Sequence, residues 1–379
     1  MKDYPQRFRD LSLSSRFLVS GIKGCFMRIL PWLCLTPALL AAQAQTNASR
    51  NAAYPPLSRF VTFDKPILTI GSENSDGPTL FGNITGVSVD SQLNLYVLDY
   101  TSKSVRVFAK DGRVLGSAGR PGRGPADMSW PLSLFHNGMS RLFVFDHVNG
   151  VIVFNSKDGH LTHLRTFGAE YRPTNACVLG DRLIIPGWRD RKILHAFDLD
   201  GQHVGSFGES FWPDSSDAVK DFASRQVLRV HCDAASNRVY VAASAIGLAR
   251  AYRSDGVLLW EQPLPDFDGS RVMVTPQSNT VVWGTYSTVS ILRLGSDLVL
   301  VQANVIKRVR SSQVGPHGRR GSEEEVGVIT YVLNATTGQL LTRAPGAPLV
   351  GTATGNLAVT YQQDPYPRVA LVPWRETRR

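Results

Sequence analysis

Three side chains in this sequence are of the types that bind divalent metals, and each lies near the end of a segment that predicts a β-strand. They are Asp90, His136 and His231. Imidazole and carboxylate groups are common ligands of Zn²⁺ and Ca²⁺. The three do not recur at one position relative to the strand that follows, and the sequence has no His-Glu-x-x-His motif. We therefore expect no metal and no other cofactor, with a Ca²⁺ or Zn²⁺ site as the alternative.

Two carboxylates, Asp99 and Asp146, could form an acid and base pair because they occupy the same position in successive repeats. Each directly follows an apolar segment and precedes a loop. An Asp in that position accepts hydrogen bonds from backbone amides, which accounts for both residues without catalysis. No Gly-x-Ser-x-Gly motif for a serine nucleophile occurs. The sequence therefore predicts no catalytic residue.

A glycine-rich segment from Gly119 to Gly124 includes Arg120 and Arg123 and could bind a phosphate through its backbone amides. It lacks the strand-to-helix setting and the Lys-Ser/Thr pair of a P-loop. We expect a structural loop between two repeats.

The elements that position these residues come from a repeat of four short apolar segments, clearest between Ile84 and Phe167. Asp-Gly pairs precede the fourth segment, where glycine supplies the positive φ of a two-residue hairpin turn. These pairs begin at positions 111, 158, 200 and 255, so they are 47, 42 and 55 residues apart. Four-stranded propeller blades repeat in about this range.

The last copy of the repeat, from Leu349 to Trp374, is one strand short, and residues 62–70 predict a strand at the other end of the chain. An N-terminal strand that completes the last blade would close the ring and remove free sheet edges. The sequence thus predicts an all-β, six-bladed β-propeller formed by residues 45–379 as a single domain, with a flexible insertion at 307–325. Seven blades are the alternative, because Asp266 to Tyr286 fits either an insertion or part of a further blade.

Two segments resemble the NHL-type repeat: Val89 to Asp99 (Val-Asp-x-x-x-Asn-Leu-Tyr-Val-Leu-Asp) and Val105 to Gly112 (Val-Arg-Val-Phe-x-Lys-Asp-Gly). Gly119 to Pro125 resembles the loop after the first blade of bacterial exported six-bladed β-propeller proteins. This similarity covers roughly residues 63–170 and implies a propeller fold. NHL-like propellers include binding scaffolds, lyases and lactone hydrolases, so the resemblance does not select an activity.

Strands alternate in direction within a blade, so the loops after the second and fourth strands emerge on one face of the ring, here called the loop face. Aromatic and basic side chains there could hold a sugar, a peptide or an acidic ligand. The segment from Gln362 to Tyr366 also belongs to this face. The ligand-binding candidates are Tyr100, Arg120, Arg123, Trp130, His147, Trp188, Arg189 and Trp212.

A secretory signal is predicted from Met27 to Ala44, with a basic start, the apolar stretch Ile29 to Leu40 and a small-x-small end. Residues 1–26 are expected to lie upstream of the true translation start. The apolar stretch is too short to span a bilayer, so we expect no transmembrane segment after cleavage. The protein should be periplasmic or secreted.

Charge and cysteine content add two expectations. Of 41 basic and 31 acidic residues, six and two precede residue 45, which leaves a net charge of +6 for the remainder. This mild excess predicts no nucleic-acid partner. Cys177 and Cys232 are the cysteines that follow the signal. Export permits a disulfide, but we interpret them as two buried thiols, with a bridge as the alternative.

These features predict an exported, monomeric scaffold that binds a small molecule, glycan, peptide or protein through the loop face without catalysis. The alternative is a metal-dependent lyase or lactonase-type hydrolase with its site at the central channel.

Overall fold

A computed structural model describes most of the chain from Tyr54 onward. The described residues are 54–171, 173–211, 228–244, 246–265, 267, 271–274, 279–282, 286–309, 314–315, 318–319 and 322–377. The predicted signal and Trp212 lie outside them. The described helices are three 3-10 turns, at Leu57–Arg59, Gly77–Thr79 and Ala169–Tyr171. None of the helices in these ranges has the length and apolar character needed to cross a membrane.

Six sheets form the blades of a ring, so the predicted six-bladed β-propeller is confirmed. The chain begins with β1 (Val61–Phe63) and β2 (Leu68–Ile70), followed by blade 1 with β3 (Ile84–Val89), β4 (Leu95–Asp99), β5 (Ser104–Phe108) and β6 (Val114–Ala118). Blade 2 contains β7 (Pro131–His136), β8 (Arg141–Asp146), β9 (Gly150–Lys157) and β10 (His160–Phe167). Blade 3 contains β11 (Cys177–Leu179), β12 (Arg182–Arg189), β13 (Lys192–Asp198) and β14 (His203–Glu209).

The second half of the ring includes the longest strands, those of blade 5, and an extra hairpin. Blade 4 contains β15 (Leu228–Asp233), β16 (Arg238–Ala243), β17 (Leu248–Arg253) and β18 (Leu258–Pro263), and a separate hairpin follows, β19 (Arg271–Val274) and β20 (Asn279–Val282). Blade 5 contains β21 (Tyr286–Leu294), β22 (Leu298–Val309), β25 (Ser322–Asn334) and β26 (Leu340–Pro345), with the short strands β23 (Val314–Gly315) and β24 (Gly318–Arg319) between β22 and β25. Blade 6 contains β27 (Val350–Thr354), β28 (Leu357–Gln362) and β29 (Arg368–Glu376).

The second strand of a blade is apolar on both faces because neighbouring blades cover it from both sides. Every residue of β4 is buried, and so is every residue of β8 after Arg141. Leu98 of blade 1 and Val144 of blade 2 belong to one apolar cluster between these blades. Burying such a side chain stabilises the fold by about 1.5–3 kcal/mol. The core is therefore distributed in layers between successive blades.

The N-terminal strand closes the ring as predicted, with one interruption. Both β1 and β2 pair antiparallel with β29, Phe63 opposite Trp374 and Ile70 opposite Val369. Pro66 lies between them and has no N–H to contribute to the ladder. The backbone N–H of Ile67 still donates to the carbonyl of Leu371 at 2.9 Å. Residues 61–70 thus act as one broken edge strand of blade 6.

The Asp-Gly turns adopt the positive φ predicted for glycine, but most are longer than predicted. Gly112 has a φ of +87°, and its N–H donates to the carbonyl of Ala109 at 2.8 Å. Ala109 also donates to the carbonyl of Arg113, which makes a three-residue loop with glycine in the left-handed position. At Asp158 and Gly159 both φ angles are positive, as a two-residue turn requires.

A disulfide joins Cys177 and Cys232, so their interpretation as two thiols is wrong. The residues belong to β11 and β15, the innermost strands of blades 3 and 4. Innermost strands of neighbouring blades converge toward the ring axis, which brings the two Cα atoms to 5.4 Å, within disulfide range. The sequence repeat placed both cysteines at similar positions in successive blades, but it did not predict that their Cα atoms lie within disulfide distance.

The segments Asp266 to Tyr286 and 307–325 lie before and within blade 5. Within Asp266 to Tyr286 the described strands β19 and β20 pair with each other and with no blade, so this hairpin is an insertion, and Tyr286 already begins β21 of blade 5. The segment predicted as a flexible insertion, 307–325, begins and ends in paired strand. Strands β22 and β25 remain paired out to Val309 opposite Ser322, with a register shift between Val305 and Ile306.

Candidate functional site

Asp99 and Asp146 organise loops, as predicted. The carboxylate of Asp146 accepts the backbone N–H groups of Ser129 and Trp130 before its blade, each at 2.8 Å. It also accepts those of Val148 and Asn149 in the following loop, at 2.9 and 2.8 Å. Asp99 does the same in blade 1. Hydrogen bonds to the flanking loops therefore account for both carboxylates.

The three candidate metal ligands do not come together. Asp90 accepts hydrogen bonds from the Asn94 amide at 2.8 Å and the Tyr96 hydroxyl at 3.0 Å. His136 is buried and stacks on Tyr96 with ring centroids 4.7 Å apart, and this burial lowers the pKa of its imidazole. His231 belongs to blade 4. The part of the chain that the structure describes contains no group of three His, Cys, Asp or Glu side chains placed to share a metal.

The glycine-rich segment Gly119 to Gly124 is held by a carboxylate of its own loop. Asp127 accepts the backbone N–H of Gly124 at 2.9 Å and the Nε–H of Arg120 at 2.8 Å. The hydrogen bond from Arg120, followed by that from Gly124, holds the pKa of the Asp127 carboxyl below its ordinary value. The Asp127 carboxylate thus stabilises the conformation of this interblade loop from within.

The described loop-face candidates pack as pairs around blades 1 to 3. Trp130 is 48% exposed and its ring meets that of His147 edge-on at 5.2 Å. Arg189 donates to the Tyr171 hydroxyl at 2.7 Å and lies over its ring.

The remaining described candidates do not contact one another. The Lys103 ammonium lies 3.0 Å above the Tyr100 ring. Trp188 packs against the apolar cluster between blades 3 and 4. Arg123 is exposed on the interblade loop. The cavities lined by described residues do not include the seven described candidates, and their ligand binding stays a prediction.

A large cavity opens elsewhere on the loop face, between blades 5 and 6. Its volume is about 630 Å³. Blade 6 contributes the end of β28 and the start of β29, the N-terminal segment contributes Phe63 and Asp64, and blade 5 contributes Asn304 and Val328. The cavity therefore exists because the closing N-terminal strand lies beside the last two blades. We call it the loop-face cavity.

Polar groups in the loop-face cavity are held in place by one another. Arg368 donates to the Gln362 side-chain oxygen at 2.9 Å and lies over the Tyr366 ring. The Gln362 amide nitrogen donates to the backbone carbonyl of Asp364 at 2.6 Å. The same cavity is lined by apolar atoms, including those of Phe63. Fixed donors and acceptors beside an apolar surface suit a polar, largely uncharged ligand.

Sequence reasoning placed Gln362 to Tyr366 on this face but did not identify the cavity. Asn304 and Phe63 are separated from that loop by about 60 and 300 residues in the sequence. These residues lie close to that loop because β1 pairs with β29 when the ring closes, and no local sequence pattern predicts this proximity. The one available signal was the unfinished last blade, which placed the N-terminal strand beside β29.

No protein-family model and no curated protein matches this sequence. Solved structures with the same fold exist. A member of the DUF4221 family from Bacteroides vulgatus is 10% identical with a TM-score of 0.51, over 85% of this chain and 99% of that one. A Bacteroides fragilis protein described as a candidate for export is 10% identical with a TM-score of 0.51, over 86% of this chain and 97% of that one. Both likenesses concern the fold alone.

Proposed function

We propose that this chain is an exported β-propeller scaffold that binds a small polar molecule or a glycan segment in the loop-face cavity, without catalysis. The observation that carries the proposal is the cavity itself. Its volume of about 630 Å³ lies within the roughly 300–1,000 Å³ of ligand pockets in proteins. A ligand there would contact blade 5, blade 6 and the N-terminal segment together.

The lining supports a polar ligand over a hydrophobic one. Asn304, Gln362 and Gln363 line the cavity with amides, and Asp64, Asp364 and Arg368 bring both signs of charge. Asp64 lies 3.5 Å from Arg375, and Gln363 exchanges hydrogen bonds with the backbone of Ile84 in blade 1. Amides and ion pairs beside aromatic rings bind hydroxyl-rich molecules through many hydrogen bonds of ordinary strength.

Export is part of the proposal and rests on the predicted signal from Met27 to Ala44. The disulfide between Cys177 and Cys232 supports it, because such bonds persist in oxidising compartments. The NHL-type character of the repeats and a bacterial origin also belong to the proposal. They rest on the residues from Val89 to Gly112.

The alternative of a metal-dependent lyase or hydrolase requires ligands that converge at the central channel. Of Asp90, His136 and His231, the last is the one that lines the channel among the described residues. The first two are occupied by the interface of blades 1 and 2. The loop-face cavity therefore supports the binding function better.

The test is a binding screen with variants that change the cavity lining but not its size. The purified, signal-cleaved protein is applied to an array of glycans and to panels of amino acids and short peptides, and any binder is measured by calorimetry. Gln362→Leu and Asn304→Leu should each weaken binding about tenfold, since one hydrogen bond in a pocket is worth roughly 1–1.5 kcal/mol. Gln202→Leu, an exposed amide on the opposite face, is the matched control.

The outcomes separate clearly. Loss of binding in both cavity variants with an unchanged control supports the cavity as the site. Binding that resists both substitutions but falls with Trp130→Ala would move the site to the candidates of blades 1 to 3. Turnover of a bound compound by the purified protein would overturn the non-catalytic part of the proposal.

A further inference from the structure

The innermost strands of the six blades surround a second cavity, which lies on the ring axis and has a volume of about 120 Å³. Every blade contributes to its lining, and we call it the channel cavity. One lining residue from each blade in turn is Ser88, Ser133, Asn175, Arg229, Ile291 and Thr352. Arg229 is thus placed at the centre of the molecule rather than on its outer surface.

The register of the blades shows why Arg229 has room in the channel. It pairs with Ala242 of β16, two residues after the buried Tyr240. Gly86 in blade 1 and Ser133 in blade 2 occupy the same position relative to their second strands. A Cβ at Gly86 would lie 2.9 Å from the backbone nitrogen of Leu134, so that position accepts no side chain. Because the equivalent residues of blades 1 and 2 are small, the space near the ring axis can hold the Arg229 guanidinium.

Other polar residues of the channel bind the next blade. The Ser133 hydroxyl donates to the carbonyl of Thr174 at 2.8 Å, and the Ser290 hydroxyl donates to that of Val350 at 2.9 Å. In the orientation that matches donors with acceptors, the Asn175 amide bonds the backbone of Leu228 and Val230 at 3.0 Å each. These bonds link successive blades.

Arg229 has no such partner. Among the described residues, none forms a hydrogen bond or an ion pair with its guanidinium, and its Nε is buried without an acceptor. No Asp or Glu contributes to the described lining of the channel cavity. The nearest carboxylate along the strand, Asp233, is ion-paired with Arg293 of blade 5. The channel therefore carries a positive charge that the described protein does not balance.

An unbalanced guanidinium in such a place is costly. Burial lowers the pKa of Arg229, while Tyr361 opposes this effect, yet an arginine side chain stays protonated in proteins. Arg229 as a whole is partly buried and its Nε has no exposed surface, so its charge is desolvated in part without a partner that offsets the cost. His231 adds no charge at neutral pH, because burial, with a further contribution from Arg293, holds its pKa at about 4. Its neutral imidazole can still donate one hydrogen bond to a molecule bound in the channel cavity.

We propose that the channel cavity binds one small oxyanion, of the phosphate, sulfate or short carboxylate class, through the guanidinium of Arg229. The planar fork of arginine donates two parallel hydrogen bonds to such groups. The cavity volume equals about four water molecules at ~30 Å³ each, which suits an anion of four or five non-hydrogen atoms. Hydroxyls of Ser88 and Thr352 line the same space. The site is independent of the loop-face cavity, although Tyr361 lines both.

The test compares unfolding temperatures in phosphate and in sodium chloride of equal ionic strength. The wild-type protein should gain a few degrees in phosphate beyond the chloride control, because a ligand that binds only the folded state stabilises it. Sulfate and acetate arms identify the preferred anion. Arg229→Met should show no excess over chloride, and in phosphate-free buffer it should unfold no lower than the wild type. Arg113→Met, an exposed arginine in blade 1, should behave as the wild type.

Sulfate and phosphate stabilise many proteins non-specifically, so the difference between variants decides the outcome. An equal excess in wild type and Arg229→Met would overturn the proposal. So would the absence of any excess in the wild type up to roughly 50 mM of each of the three anions. Phosphate titration followed by ³¹P NMR provides a second measurement on the wild type and on Arg229→Lys, which should bind several-fold more weakly. Gln362→Leu should retain the full anion response, which separates this site from the proposed ligand site.

Discussion

The carboxylate of Asp146 accepts the backbone N–H of Trp130 at 2.8 Å, across 16 residues of chain. Because it also binds the loop that follows β8, one side chain ties together the two kinds of loop that form the loop face. This arrangement brings Trp130 and His147 to 5.2 Å between ring centroids. Asp99 repeats the arrangement in blade 1, where it binds Asn83 and Thr101.

Replacement of Asp146 should therefore destabilise the protein strongly. Asp146→Ala removes a fully buried carboxylate and leaves four partly buried backbone N–H groups without their acceptor, and we expect a loss of roughly 3–5 kcal/mol in the free energy of unfolding. Chemical denaturation measures this loss. Asp181→Ala, an exposed turn residue of blade 3, should change it by less than about 0.5 kcal/mol. Similar losses in both variants would contradict the capping role.

Removal of the closing strand should open the ring. A chain that starts after Ile70 lacks both β1 and β2 and exposes the edge of β29 together with the apolar cluster around Trp374. We expect it to aggregate or to unfold well below the temperature of the wild type. A chain that starts at Tyr54 retains both strands and is the control. Equal unfolding temperatures for the two truncated proteins would refute the closure.

The disulfide should contribute measurably to stability. It closes a loop of 55 residues between Cys177 and Cys232, and cross-linking a loop of that size stabilises by about 2–4 kcal/mol. The double variant Cys177→Ala/Cys232→Ala should unfold several degrees lower than the oxidised wild type. A reducing agent should lower the unfolding temperature of the wild type and leave that of the double variant unchanged. A wild type insensitive to full reduction, shown by thiol titration, would contradict the prediction.

Acid should destabilise the protein through His195. This imidazole is 1% exposed, and burial lowers its pKa to about 4. Between pH 6.5 and 4 the unfolded chain takes up a proton that the folded chain does not, so the free energy of unfolding falls as the pH is lowered through this window, by up to roughly 3 kcal/mol. His195→Gln should reduce the slope by the contribution of one proton. The same slope in wild type and variant would show that the imidazole is not kept neutral.

The sequence determined much of the fold because its signals are local. Apolar segments such as Leu95 to Leu98 indicate strands covered on both faces, and glycine after Asp111 indicates a turn with positive φ. The Asp that ends the second strand indicates a cap. Repetition of this unit, together with a last blade one strand short, was enough to predict six blades and closure by residues 62–70.

The tertiary structure alone decided the relationships between distant residues. It joined Cys177 to Cys232, formed the loop-face cavity from Phe63, Asn304 and Gln362, and placed Arg229 on the ring axis without a partner among the described residues. Each of these depends on how blades converge at the axis and on where the closing strand lies. Residue type and spacing along the chain predict which side chains are buried and where turns occur within one blade. Contacts between blades depend on distances that are defined only once the ring has closed.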